Sequence, residues 1–125
     1  MIRSMKDELN LVKEFHMKFH QPILTEPSLI PQDRSENRHR LMQDEVSEYI
    51  QEVIAGNVAD IAKELADILY TVYGTVLEHG LQEKMAAIFR EVHSSNMSKD
   101  YHEYKMIKGT NYFKADVTKI LNKKE

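Results

Sequence analysis

A Gly-Asn pair, Gly56-Asn57, sits between two long amphipathic segments and limits how the middle of this chain can fold. Glycine after a helical pattern serves as a C′ residue and asparagine as the next N-cap, so helices flank the pair. A connection this short makes them antiparallel neighbours. The stretch from Leu41 to Gly80 therefore reads as a helical hairpin. Its first arm carries Asp44, Glu45 and Glu48, and its second carries Glu64 and Asp67. Residues three or four apart share a helix face, with side-chain origins about 5–6 Å apart. Glu45 thus neighbours Glu48, Glu64 neighbours Asp67, and the two pairs can face each other at mid-helix. Four such carboxylates repel one another unless a cation lies between them.

The flanking chain is also helical in pattern. Residues 4–20 place Met5, Leu9, Val12, Phe15 and Phe19 on a 3.6-period stripe, with His16, Met17 and His20 off or beside it. Pro22, Pro27 and Pro31 interrupt helix over 21–32. Asp33 or Ser35 can cap the next helix, whose expected buried stripe is Met42, Val46, Tyr49, Ile50 and Val53. The segment 58–79 is the most apolar, with Val58, Ile61, Leu65, Ile68, Leu69, Val72, Val76 and Leu77 around half its circumference. Gly74 inside it is unfavourable by about 1 kcal/mol against Ala, which the close approach of another helix or a ligand would explain. A shorter helix is expected over 81–92, then a polar loop over 93–99. An aromatic and basic tail follows, with a short helix at 116–123. The expectation is an all-α, four- to five-helix bundle forming one domain over 1–125.

Composition narrows the function. With 42% hydrophobic and 30% charged residues, the chain suits a soluble helical domain. A net charge of −3 offers no general attraction to nucleic acid or anionic membrane. Without cysteine there is no disulfide, thiolate zinc site or Cys nucleophile. No run approaches the ~20 apolar residues of a membrane span. Nothing at the start resembles a signal peptide, and the expected location is the cytoplasm.

Acids at helical spacing ordinarily make a solvated face, and periodicity alone does not separate that from a metal site. Sign separates them better. Solvated faces interleave Lys with Glu, because opposite pairs help by ~0.2–0.5 kcal/mol and like pairs oppose by as much. The sector 60–67 sets Lys63 against Asp60, Glu64 and Asp67, beside another acidic turn. Carboxylate oxygens without Cys or paired His suit Mg²⁺, or Mn²⁺. Mg²⁺ keeps waters and is often completed by substrate phosphates, so the cage points to a polyphosphate substrate. Di-iron bundles use two Glu-x-x-His pairs, whereas only Glu36–His39 has that spacing here. Candidate phosphate-binding cations are Arg38, Arg40, Lys99 and Lys114, with Ser94, Ser95 and Asn96 as hydrogen-bonding partners.

Asp44-Glu45-Val46-Ser47-Glu48, followed by Glu64-Leu65-Ala66-Asp67, resembles the (D/E)ExxE…ExxD signature of the all-α, MazG-like nucleoside triphosphate pyrophosphohydrolases. ADILYTVYGTVLEHG, VHSSNMSK and KGTNYFKADVTKIL are similar to a branch described as phosphoribosyl-ATP pyrophosphohydrolase-like, and the likeness covers roughly residues 12–121. It implies Mg²⁺ held by Glu45, Glu48, Glu64 and Asp67, and a homodimer or homotetramer. Asn96 and Lys99 match the nucleotide-contacting SNMSK motif, and Lys114 matches a Lys that often faces phosphate. Asp44 stands where many members have Glu, and Ala115 where Pro is frequent.

The activity implied is hydrolysis of a nucleoside triphosphate between the α and β phosphates, giving a monophosphate and pyrophosphate. Glu45, Glu48, Glu64, Asp67 and Lys99 would form the catalytic set; Asn96, Lys99, Lys114 and Arg40 would bind substrate. Asp44 or Glu45 would orient the water. Two alternatives stand beside this: a phosphoribosyl-ATP pyrophosphohydrolase, and a non-catalytic helical module that binds nucleotide.

Overall fold

The computed structural model describes residues 5–123. Its helices are α1 (Met5–Lys18), α2 (Gln32–Ala55), α3 (Val58–Glu78), α4 (Met85–Met97) and α5 (Val117–Asn122). Among the described residues the only β pairing is one antiparallel bridge, Asp100 to Ile107. The protein is all-α, as its apolar periodicity requires. The chain divides into two compact units, Met1–Gln82 and Glu83–Glu125. In the first, α2 and α1 both pack on α3; in the second, α4 packs on α5. No described helix is long and apolar enough to cross a membrane.

The hairpin turn is built by the two residues that mark it. Gly56 adopts φ +78°, a left-handed conformation that suits glycine, and its N–H donates to the carbonyls of Glu52 and Val53. The Asn57 side chain then accepts from the amides of Ala59 and Asp60 at 2.9 and 3.2 Å, capping α3. Other boundaries differ from expectation. The expected start of α1 at Ser4 lies outside the described residues. It ends at Lys18 rather than residue 20, because His20 turns to φ +57° and Gln21 N–H closes back on the His16 carbonyl at 2.8 Å. Neither Asp33 nor Ser35 caps α2. The helix starts at Gln32 behind Pro31, whose φ of −54° is already suited to a helix. The Ser35 hydroxyl donates to the Gln32 carbonyl instead.

The fourth helix is displaced toward the C-terminus, running over 85–97 instead of 81–92. The polar run expected to be loop is thus its last turn. Ser95 is buried there, its hydroxyl donating to the Phe113 carbonyl at 2.8 Å. A tertiary bond therefore holds helical a segment whose composition favours a loop.

Burial departs further from the stripes. Leu9 and Val12 are buried on α1, and so is His16, whereas Phe15 and Phe19 stay partly exposed. On α2 the expected inward residues Val46, Tyr49, Ile50 and Val53 are exposed, as are Val58, Leu65, Leu69 and Val72 on α3. The reason is length: α1 has 14 residues, against 24 and 21 in the hairpin arms. The buried part of α3 is concentrated at Gly74 to Glu78.

That buried end is polar. Glu78 is fully buried and accepts a two-pronged contact from Arg34, Nε to Oε1 at 3.0 Å and Nη2 to Oε2 at 2.8 Å. Arg38, 5% exposed, adds Nη1 to Oε2 at 3.2 Å. Its Nε donates to Thr75 Oγ1 and its Nη2 to the Thr71 carbonyl. A carboxylate near a helix C-terminus is disfavoured by the helix dipole, and the two guanidiniums reverse that. Gly74 makes this packing possible: a Cβ there would lie 2.5 Å from Arg38 Nη2 and 2.9 Å from His16 Nε2. Arg38 is held by three contacts, so it does not swing aside. We expect Gly74→Ala to destabilise the fold by ~1–3 kcal/mol in chemical denaturation, because overpacking outweighs the ~1 kcal/mol gain in helix propensity. A neutral or stabilising result would show that the guanidinium can move.

Candidate metal centre

The hairpin brings three of the four expected metal ligands together. One carboxylate oxygen each from Glu45, Glu48 and Glu64 lies within 4.8 Å of the others. Glu64 is buried, Glu45 half-buried and Glu48 exposed, so the group opens to solvent on the Glu48 side. Among the described residues, Glu45 Oε2 and Glu64 Oε2 are buried with no hydrogen-bond partner. Buried acceptors left without a donor are costly, by about 1–3 kcal/mol and more when charged. A proton or a cation relieves them. The donor set, oxygen only and carrying up to three negative charges, fits a hard divalent cation of the Mg²⁺ or Mn²⁺ kind.

Asp67 stands outside this group. Its Oδ2 accepts from Lys63 Nζ at 2.8 Å, an i,i+4 pair on the surface of α3. Lys63 is largely exposed, and exposed pairs contribute only ~0–1 kcal/mol. Such a pair does not bar Asp67 from turning to a divalent ion one helical turn away. Asp44 is exposed and lies outside the group.

The electrostatics follow from crowding. Glu64 is pushed up to about 8 from an ordinary 4.5, first by the hydrogen bond its protonated form makes to Glu45, then by burial and by Glu48. At neutral pH the metal-free cluster therefore keeps a proton on Glu64. The Lys63 ammonium is held above its ordinary value by Asp67.

The remaining candidates lie elsewhere. Arg40 is exposed on α2 and donates to Asn37 Oδ1 at 2.7 Å. Arg38 is not a surface cation at all but part of the buried Glu78 network. Asn96, Lys99 and Lys114 belong to the second unit. There the Ser98 hydroxyl accepts from the Phe113 amide at 3.1 Å, while Ser95 takes the Phe113 carbonyl. Lys99 and Lys114 each directly follow a member of this Ser98–Phe113 contact in the sequence. Ser94 is exposed, and Ser95 is a structural tie.

Sequence reading missed Arg34 and Glu78. A signal existed: Gly74 and Glu78 are four apart on α3, and Arg34 and Arg38 four apart on α2. In an antiparallel hairpin that spacing puts a gap and a buried acid against two cations.

The proton on Glu64 makes stability depend on pH. Between about 4.5 and about 8 the folded state retains a proton that the unfolded chain releases, so metal-free stability falls as pH rises through this window and levels off above it. A divalent cation displaces that proton, so its apparent affinity rises toward pH 8. Thermal melts with EDTA, and with excess Mn²⁺, across pH 5–9 check both slopes. Glu64→Gln should flatten the first slope and remove the stabilisation by metal.

A family model described as phosphoribosyl-ATP pyrophosphohydrolase matches residues 12–96. The match takes in α2 and α3 with all three clustered glutamates, and it ends within α4 at Asn96. Individually curated proteins give no match. Membership supports pyrophosphohydrolase chemistry, in a family whose enzymes typically depend on a divalent metal. With two thirds of its length matched, the chain belongs to the phosphoribosyl-ATP pyrophosphohydrolase family of the MazG-like all-α superfamily.

Proposed function

We propose that the protein is a Mg²⁺-dependent nucleoside triphosphate pyrophosphohydrolase, cleaving between the α and β phosphates. Water supplies the new oxygen–phosphorus bond, the bond to the bridging oxygen breaks, and pyrophosphate leaves with a nucleoside monophosphate. The observation that supports this most is the pair of buried oxygens on Glu45 and Glu64, beside Glu48, that no donor meets unless Glu64 keeps a proton or a cation binds. Glu45, Glu48, Glu64 and Asp67 would hold Mg²⁺, with Mn²⁺ a substitute. Bound there, the ion would offset phosphate charge and acidify a water.

The chain's own groups do the rest. Glu64 must release its proton before the cluster can accept a cation. Glu45, half-buried in the group, orients the attacking water in preference to exposed Asp44. Lys99 and Lys114 neutralise charge developing on the leaving pyrophosphate, Asn96 hydrogen-bonds the nucleotide, and Arg40 contributes a further surface cation. The whole chain, 1–125, acts as one catalytic domain. Exposed Val46, Ile50, Val58, Leu65 and Leu69 on the hairpin favour a homodimer or homotetramer, because such a face is otherwise left to water. The acidic balance argues against nucleic acid as a partner, and the cytoplasm is the proposed location.

A second substrate, phosphoribosyl-ATP, is favoured by the description of the family model and would use the same cluster. A third reading, a non-catalytic helical module, predicts nucleotide binding without turnover.

The test is pyrophosphate release from a panel of ribo- and deoxyribonucleoside triphosphates and phosphoribosyl-ATP, with Mg²⁺. Glu64→Gln and Asp67→Asn should each lower turnover by ~10²–10³, the size of effect expected for losing one charge-stabilising group. Unchanged release in both variants would sink the site, and preference for phosphoribosyl-ATP would replace the proposed substrate.

A further inference from the structure

Lys63 is placed unlike the arginines of the hairpin. Arg34 and Arg38 are tied to buried Glu78, and Arg40 donates to Asn37. Lys63 instead stands among the candidate metal ligands, directly before Glu64 and one helical turn before Asp67. Its Nζ donates to Asp67 Oδ2 at 2.8 Å. Asp67 exerts the strongest attraction on this ammonium, and the charges of Glu64 and Glu45 draw it toward the cluster as well.

The contact is suited to exchange. The Lys63 side chain is 76% exposed and that of Asp67 35%, so the pair can part without opening the core. An ion pair this open to water is weak. A lysine ammonium is a compact charge on a flexible four-carbon stem, and its donors turn to whichever anion is nearest. Arg38, held by Glu78, Thr75 and the Thr71 carbonyl, has no such freedom.

In the metal-free chain, then, a monovalent ammonium occupies the one carboxylate of the expected four that stays outside the cluster. Asp67 does not readily serve an ammonium and a divalent ion together, because positive charges on one short carboxylate repel. When Asp67 turns to the cluster, Lys63 is released but not removed. Its backbone is fixed beside Glu64, so the ammonium stays at the rim of the group. The anions to be met there are phosphate oxygens, which commonly complete the shell of a hard divalent ion.

From the open Lys63–Asp67 pair and its place beside Glu64, we infer that Lys63 is an exchangeable counter-ion. It holds Asp67 while the site lacks a metal, and it passes to a phosphate of the substrate once Asp67 turns to the cation. Lys63 thus weakens the binding of metal alone and strengthens the binding of a polyphosphate in the presence of metal, so the two ligands favour one another. The inference rests on the proposed metal-dependent nucleotide reading of the cluster. It is separate from the roles given to Lys99 and Lys114, which belong to the second unit.

The test reads these two opposite signs. Mn²⁺ binding to the full-length protein without nucleotide is followed by EPR for wild type, Lys63→Met and Lys63→Arg. Inorganic tripolyphosphate, which carries no base to be selected, is then titrated by calorimetry at saturating Mg²⁺. Lys63→Met keeps the aliphatic stem and removes the charge. It should bind Mn²⁺ about three- to fivefold tighter, the scale of an exposed ion pair. It should bind tripolyphosphate about tenfold more weakly, the scale of one hydrogen bond to a charged group. Lys63→Arg keeps a cation that pairs with Asp67 and should stay near wild type in both. Unchanged or weaker Mn²⁺ binding by Lys63→Met overturns the inference, and so does unchanged tripolyphosphate affinity. If both shifts appear while no nucleotide is turned over, the hydrolase reading fails and the exchange stands. If pyrophosphate release depends on Glu64 and Asp67 yet Lys63→Met shifts neither affinity, the exchange fails and the hydrolase reading stands.

Discussion

The contact of Arg34 and Arg38 with Glu78 sets how α2 lies against α3, and the rest of the first unit depends on it. A fully buried carboxylate in this position is stable only while both guanidiniums reach it. Removing one partner of a buried pair typically costs 3–5 kcal/mol, because it leaves the other charge uncompensated. A slip of α2 along α3 by one residue would move the guanidiniums ~1.5 Å and rotate them about 100° around the axis. The network therefore fixes the register of the hairpin far more sharply than its apolar stripes do. Those stripes are largely exposed within one chain and cannot specify register on their own.

Fixing register at Glu78 has a consequence further along the seam. Glu64 lies fourteen residues before Glu78, close to four helical turns, so both emerge on nearly the same face of α3. On α2 the matching pair is Arg34 or Arg38 and Glu45 or Glu48. The same two faces thus meet twice, once with opposite charges and once with like charges. Attraction at one end holds together a repulsion at the other. The like-charged group keeps its geometry because the hairpin cannot open there without also pulling at a buried ion network and at the capped turn of Gly56-Asn57.

Much of this was legible in the residues. Gly56 and Asn57 mark the turn because one needs a positive φ and the other a cap, and both demands are local. Glu45, Glu48 and Glu64 were legible because helix periodicity and an antiparallel turn suffice to bring them together. Asp67 shows where that reasoning stops: sharing a face with Glu64 does not say whether its carboxylate turns to the group or to Lys63. Periodicity also failed at Phe15 and His16. By apolarity Phe15 belongs inside and His16 beside the stripe, but the buried position faces Gly74, and there a ring nitrogen and a guanidinium fit. The extent of α4 was illegible for a related reason. Ser95 is helical because of a bond to the Phe113 carbonyl 18 residues away, and no local rule anticipates that partner.

Polar groups at the α2–α3 seam differ along its length in how wet they are, and this bears on chemistry. Toward Glu78 the seam is closed, every carboxylate oxygen there meets a guanidinium, and side chains have little freedom. At Glu45, Glu48 and Glu64 it opens on one side while retaining two buried oxygens that only a shared proton or a cation satisfies. A rigid end next to an open, under-satisfied one is what a site needs if its ligands are to be oriented before a cation and a phosphate arrive. Were the acids merely a solvated face, no such asymmetry would be required, and the buried Glu64 carboxyl would be a liability without a use. The carboxylates are therefore better understood as a strained group than as surface charge, kept in place by the ion pairs further along the same two helices.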